Sequence, residues 1–138
     1  MYTFNVSGTV PAASDPYQSG VCNIGPAEIA RRRAFGNLGA IVTLVLFAGL
    51  VVVGAPHWTR LVLFIPAAGA ASGYLQAMLH FCSGFGSRGV FNFGELGTVH
   101  EVLDPVAKAR DRRRSMEISL GALALGIAVA LIAALLPV

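Results

Sequence analysis

Three runs of apolar residues, each long enough to cross a bilayer, constrain this chain most strongly. They lie at about residues 34–54, 60–81 and 116–137. A helix needs about 20 predominantly apolar residues to span the hydrocarbon. Charged residues make up only 12% of the chain, against about 25% in an average soluble domain. The pattern predicts an all-α integral membrane protein with three transmembrane helices, in which residues 26–138 form one membrane domain.

The boundaries of the predicted helices carry start motifs. Pro26 and Pro105 each open a segment that leads into an apolar run, and proline suits the first helical position because its missing N–H would have no partner there. Asp104 precedes the second proline and is a favourable N-cap. Residues 1–25 are polar, and we predict an irregular cytoplasmic tail there. Residues 83–104, rich in glycine and phenylalanine, are predicted to form a cytoplasmic loop at the membrane surface.

Lysine and arginine residues are distributed unevenly around the predicted spans. Nine of the ten precede the first span or lie between the second and third, and only Arg60 lies on the opposite side. The positive-inside rule then places the N-terminus in the cytoplasm and the C-terminus outside. Basic clusters beside membrane spans set topology and contact lipid headgroups, so no nucleic-acid binding is predicted. The residues assigned to this role are Arg31, Arg32, Arg33, Arg112, Arg113 and Arg114.

Small residues recur at four-residue intervals within two of the predicted spans. Gly69 and Gly73 form a GxxxG pair in the middle of the second span. Lipid gives helices no hydrophobic reason to associate, so close packing of small residues must hold them together. Because three helices bury little surface alone, we predict a homo-oligomer or docking onto a larger membrane complex. The third span carries the longer series, Ala122, Gly126, Ala130 and Ala134.

Cysteine and histidine side chains on the predicted cytoplasmic side are candidate functional groups. Cys22 and Cys82 are candidate thiols, because a nearby arginine cluster favours the nucleophilic thiolate form. Together with His80 and His100 they make four groups of the kinds that bind zinc. The sequence has no CxxC spacing, and His80 and Cys82 would point to opposite faces of a helix. The spacing therefore predicts no metal site.

The predicted spans lack the residues that most membrane activities require. No charged residue lies at mid-depth, which argues against a pump, a proton-coupled transporter or a voltage sensor. No catalytic triad, carboxylate pair or phosphate loop can be assembled, and no cofactor is indicated. We predict a non-enzymatic accessory or interaction subunit. Two alternatives remain open: a thiol or sulfur-handling protein using Cys22 and Cys82, and a metal- or haem-binding subunit using His80 or His100.

Two segments of the chain resemble a known family. These are Cys22-Asn23-Ile24-Gly25 followed by the arginines, and Phe81-Cys82-Ser83-Gly84-Phe85-Gly86 through Asn92. They are similar to the small bacterial inner-membrane family of unknown function whose unit is a helical hairpin, which also forms the membrane part of some membrane-bound rhodaneses. This chain has Phe-Cys-Ser-Gly where the family usually has Cys-Pro, adds a third span and lacks a rhodanese domain. The resemblance implies a self-associating protein of the bacterial plasma (inner) membrane, linked to sulfur handling.

Overall fold

Three helical segments form the framework of the protein. The computed structural model describes residues 17–138, so the part of the predicted tail before residue 17 lies outside the described residues. Within that range, Pro26–Val52, His57–Leu79 and Pro105–Leu135 are long and apolar enough to cross a membrane. The prediction of a mainly helical chain with three candidate spans is confirmed.

The first long helix, α1, runs over Pro26–Val52 and so begins eight residues before the predicted first span. Pro26 occupies the first helical position, and Glu28 lies in the first turn, where the helix dipole favours an anion. The chain leaves the helix through Gly54, whose φ of +68° is a left-handed conformation that glycine adopts without steric cost. This turn reverses the chain, and the following helix packs back along α1.

The second span is built from two kinds of helix. A 3-10 segment covers His57–Leu63, and α2 covers Phe64–Leu79. Pro66 therefore falls in the first turn of α2, where its fixed φ is compatible with the helix. Compared with the predicted span of residues 60–81, the helical segment begins three residues earlier, at His57, and ends two residues earlier, at Leu79. It is followed by a left-handed His80 with φ of +55°.

The region predicted as a plain loop contains regular structure. Ser83–Arg88 form a short helix, α3, and Val90–Phe91 (β1) pair antiparallel with His100–Glu101 (β2). The loop prediction is wrong here, because aromatic side chains from this region bury themselves against neighbouring segments. Their core joins Tyr17 and Phe91, whose ring centroids lie 5.0 Å apart, to Val102 and Ala107.

The last helix, α4, covers Pro105–Leu135, and its C-terminal part contains most of the predicted third span. The Asp104 side chain accepts a hydrogen bond from the Val106 N–H at 3.1 Å, as expected of an N-cap. Two turns after the N-cap, buried Asp111 accepts from the Tyr17 hydroxyl and the Gly20 N–H, both at 2.6 Å. Residues 17–25 are thus folded onto α4 and are not an irregular tail.

The small-residue faces pack as helix seams at most of the predicted positions. Gly73 contacts α1 so closely that a Cβ added there would lie 2.6 Å from the Gly36 backbone nitrogen. Gly126 similarly faces Ala68 of α2, at 2.7 Å, and Ala122 and Ala130 are buried. Ala134 is half-buried. Gly69 differs from these residues, because a Cβ added to it would meet no atom within 4 Å.

Arg60 closes the end of the bundle at which α1 turns into the second span. The side chain is buried, and its Nη1 donates to the carbonyl oxygens of Ala133 and Leu136 at 3.0 and 3.1 Å. The last carbonyl groups of a helix have no partner within the helix, so Arg60 satisfies part of the C-terminal end of α4. Its guanidinium also lies 5.4 Å from the centroid of the Phe47 ring.

The contact between Gly73 and α1 yields a matched test of the helix seam. Gly73→Ala is expected to lower the free energy of unfolding by about 1–3 kcal/mol, the usual cost of overpacking. Gly69→Ala adds the same methyl group on the same helix in open space, and should be neutral or slightly stabilising. Thermal unfolding of both variants in one detergent measures the difference. Equal melting temperatures would contradict the close approach of α1 and α2.

Candidate functional site

Asn23 joins the N-terminal segment to the backbone that follows α2. Its Nδ2 donates to the Cys82 carbonyl oxygen at 3.2 Å, and its Oδ1 accepts from the Cys82 N–H at 2.7 Å. The Asn23 N–H donates to the His80 carbonyl oxygen at 3.2 Å. Asn23 and Cys82 are both buried, and a buried backbone polar group without a partner is costly. One side chain therefore satisfies both backbone groups of Cys82 and fixes its position.

Asn92 makes the second connection between the same segments. Its N–H donates to the Asn23 carbonyl oxygen at 3.0 Å, and its own carbonyl accepts from the Gly25 N–H at 2.9 Å. Its Nδ2 donates to Glu28 Oε2 at 3.3 Å. Gly25 is required here, since an added Cβ would lie 2.8 Å from the Phe93 Cα. The Asn-x-Gly sequence before α1 thus has a structural cause.

Glu28, Arg32 and Cys82 form a charged group beside this connection, which we call the thiol cluster. Arg32 Nη1 lies 3.2 Å from Glu28 Oε1, and Arg32 Nη2 donates to Cys82 Sγ at 2.8 Å. A guanidinium can only donate hydrogen bonds, so the sulfur is the acceptor. The Arg32 guanidinium also lies 5.8 Å from the centroid of the Phe85 ring. The cluster therefore holds a nucleophilic atom in direct contact with a fixed cation.

The thiol cluster lies at one end of an open groove between α1 and α2. The groove has a volume of about 560 Å³, within the range of about 300–1,000 Å³ for small-molecule sites. Arg32, Cys82, Gln76 and Ser83 line its polar end. The rest of the lining consists of large apolar side chains and glycines: Phe35, Leu38, Gly39, Val42, Pro66, Gly69 and Gly73.

Cys22, the other candidate thiol, lies in a different environment. It is half-buried in a tight turn, where the Gln18 N–H donates to the Cys22 carbonyl oxygen at 2.9 Å. Burial raises the pKa of the Cys22 thiol, and a hydrogen bond with the Ile24 backbone offsets part of that rise. Both cysteines are free thiols. The connection to Cys82 is made by the next residue, Asn23, and not by Cys22 itself.

The two histidines considered as metal or haem ligands are both exposed. His80 is the left-handed residue after α2, and His100 packs on Phe91 with ring centroids 5.4 Å apart. Across residues 17–138, no three histidine, cysteine or carboxylate side chains are grouped in a way that suits a metal ion.

The arginines assigned to topology occupy unequal environments. Arg32 is nearly buried within the thiol cluster, whereas Arg31 and Arg33 are exposed on the same helix. On α4, Arg113 and Arg114 both lie near Glu117, at 3.5 and 3.2 Å. Arg112 is exposed and has no ion pair within the described part of the chain.

The sequence analysis missed how Arg32 and the buried polar residues are used. Glu28 and Arg32 stand four residues apart, a spacing that places them on one helix face. This spacing could have identified Arg32, among the three consecutive arginines, as the ion-pair partner of Glu28. Gln76, a polar residue within α2, also has a role outside its own helix, since its Oε1 accepts from the Ser83 N–H at 2.9 Å. The long-range partners of Asn23 and Asn92 have no pattern in the sequence that would reveal them.

Comparison with known proteins adds no functional information. A scan of protein-family models, a search of curated proteins and a search of solved structures each find no match to this chain.

Proposed function

We propose that this chain is a multi-pass plasma membrane protein of a bacterium that uses Cys82 as an acceptor thiol for sulfur. The observation that supports the proposal most directly is the hydrogen bond from Arg32 Nη2 to Cys82 Sγ, 2.8 Å long, at the end of an open groove. Arg32 is in turn oriented by the ion pair with buried Glu28. This arrangement presents a sulfur nucleophile on a fixed backbone beside a cation.

The chemistry proposed for the cluster is transfer of one sulfane sulfur from a small persulfide. The Cys82 thiolate attacks the terminal sulfur of the donor, R–S–SH, and a new S–S bond forms on Cys82. The bond between the two donor sulfurs breaks, and the thiolate R–S⁻ leaves and takes up a proton. No net oxidation occurs, because the sulfane sulfur only changes carrier. The Arg32 guanidinium stabilises the anionic form of the sulfur before and after transfer.

The role of Arg32 can be tested by comparing it with its exposed neighbour. In a Cys22→Ser background, Arg32→Gln should slow the reaction of Cys82 with methyl methanethiosulfonate by roughly tenfold or more, since a hydrogen bond to a charged group contributes about 1.5–3 kcal/mol. Arg33→Gln removes the same charge from an exposed position and should leave the rate unchanged. Equal rates in the two variants would refute activation by Arg32.

The same samples test sulfur transfer itself. After incubation with a small persulfide, mass spectrometry should find one added sulfur on Cys82 and none in the Cys82→Ser variant. Arg32→Lys is the folding control. It retains the positive charge and can replace the glutamine variant if that variant proves unstable. If Cys82 reacts normally with the thiosulfonate but gains no sulfur from the persulfide, then Cys82 is an activated thiol and the proposed role in sulfur handling is rejected.

We propose further that the N-terminus and the α2–α4 connection face the cytoplasm and the C-terminus faces outward. Nine lysines and arginines accompany the N-terminal ends of α1 and α4 and the connection after α2. At the other end Arg60 is buried against backbone carbonyl groups, so its charge is not exposed to either aqueous phase. This asymmetry supports the orientation through the positive-inside rule.

Labelling of Cys22 tests the orientation. In a Cys82→Ser background, a membrane-impermeant maleimide should label Cys22 in inverted vesicles and not in intact cells. The raised pKa of Cys22 keeps the thiol protonated near neutral pH, so labelling should be slow there and accelerate as the pH rises through that pKa. Denatured protein provides the reference for complete labelling. Labelling in intact cells would reverse the proposed topology.

A second proposal is that the chain associates with itself or with another membrane subunit. In α1 only Glu28 and Gly36 of 27 residues are buried, so most of this helix is left to lipid or to a partner. Its outer face presents Leu38, Val45 and Val52 around Gly49, where an added Cβ would meet no atom of another segment within 4 Å. A small residue on an apolar face permits close approach of another helix.

Light scattering of the protein in a mild detergent tests association. The wild type should be a dimer or larger, and Gly49→Leu should shift it toward monomer because the added side chain blocks close approach. Leu131→Ile, on an exposed face of α4, is the control and should leave the mass unchanged. A wild-type monomer at every concentration would exclude self-association, while leaving the thiol proposal intact.

A further inference from the structure

A second groove lies between α3 and α4 and is lined by more hydroxyl side chains than the first. It has a volume of about 490 Å³. Four serines line it together with Arg112 and Met116: Ser83, Ser87, Ser115 and Ser119. This concentration of hydroxyl groups beside a cation differs from the apolar faces on the rest of the helices, and nothing in the proposed thiol chemistry uses it.

The α4 wall of this groove is amphipathic along its length. Arg112, Ser115, Met116 and Ser119 follow one another at spacings of three and four residues, which places them on one helix face. The same face continues into the apolar part of α4 with Leu123, which is 44% exposed. A molecule that fits this surface has a polar end at Arg112 and an apolar body lying along the helix.

Arg112 carries the charge that the groove offers to a ligand. Its neighbours Arg113 and Arg114 both interact with Glu117, at 3.5 and 3.2 Å, whereas Arg112 has no carboxylate partner among residues 17–138. The guanidinium fork is suited to bidentate contacts with phosphate oxygens. An anion in the groove would therefore meet a cation whose charge is not already compensated.

The serine hydroxyl groups divide into two sets. Ser87 and Ser115 already donate, to the Gly84 and Asp111 carbonyl oxygens at 3.1 and 2.9 Å, and retain only acceptor capacity. The hydroxyl groups of Ser83 and Ser119 have no hydrogen bond to any other described residue, so both are available as donors. Two hydroxyl donors and one guanidinium match the acceptor oxygens of a phosphate group.

We propose that the α3–α4 groove binds one anionic phospholipid, with its phosphate at Arg112 and its acyl chain along Met116 and Leu123. The ligand must carry both a phosphate group and an apolar chain, because the polar and apolar parts of the groove are continuous on one helix face. This binding requires the three-span membrane fold but neither Cys82 nor any sulfur chemistry.

Native mass spectrometry of the detergent-purified protein measures this binding. Phosphatidylglycerol should bind as a single copy, more tightly than phosphatidylcholine. Arg112→Gln should weaken phosphatidylglycerol binding by about fivefold or more, which is the usual contribution of one basic residue at an anionic surface. Arg113→Gln removes the same charge one residue away and should change the affinity less than twofold. Ser119→Ala should weaken binding more moderately, because one hydroxyl donor is lost.

Three outcomes would overturn the proposal. Equal losses in Arg112→Gln and Arg113→Gln would indicate general electrostatic attraction without a site. Full competition by inorganic phosphate at the same concentration would identify a soluble phosphate compound as the ligand. Equal binding of phosphatidylcholine would remove the requirement for negative charge. The thiosulfonate reactivity of Cys82 in Arg112→Gln should equal that of the wild type, so failure of either proposal is recognised independently of the other.

Discussion

Every backbone N–H and C=O group that enters the bilayer region must have a hydrogen-bond partner within the protein, and this requirement determines the two ends of the bundle. At one end the buried Arg60 side chain donates to carbonyl oxygens in the last turn of α4. At the other end, Asn23 satisfies both backbone groups of Cys82 just after α2 stops. Polar side chains distant in sequence thus pair with backbone groups at both ends of the bundle.

The position of the thiol cluster is a consequence of this pairing. Asn23 holds the Cys82 backbone against the start of α1, and Arg32 lies one turn after Glu28 on that same helix. Removing Glu28 would leave a nearly buried guanidinium without its ion pair, and breaking a buried pair typically costs about 3–5 kcal/mol. The interactions that organise this end of the fold are therefore also the ones that place a cation against the sulfur.

The sequence was sufficient to predict the helices because their patterns are local. Apolar runs of sufficient length, Pro26 and Pro105 at helix starts, and the four-residue spacing of small residues on α4 are all visible within short windows. The observed boundaries of the helices differ from the predicted ones where local preferences compete with tertiary contacts. The second span begins as a 3-10 segment, and the predicted loop folds into α3 and a β-ladder because Phe91 and Tyr17 bury each other.

The candidate site could not be predicted in the same way, since its contacts join distant parts of the chain. Asn23 and Cys82 are separated by 59 positions, and Arg60 and Ala133 by 73. Arg32 was predicted with its neighbours as a topology residue, because three consecutive arginines look alike until the fold turns one of them inward. Gly69 and Gly73 likewise form one motif in the sequence, yet only Gly73 contacts α1 closely.

The two grooves share a wall, so the shape of both depends on the position of the short helix α3. Ser83 and Gly84 line both the groove that contains Cys82 and the groove that contains Arg112. Gly86 packs so tightly under Ser115 and Phe81 that no larger residue fits there, so α3 is held firmly against α4. This short helix therefore forms a fixed partition, with the thiol cluster on one side and Arg112, which has no ion pair among residues 17–138, on the other. Because α3 is only six residues long, its position depends on these packing contacts and on the hydrogen bonds at Cys82 and Ser83. The geometry of both grooves therefore depends on the same few residues.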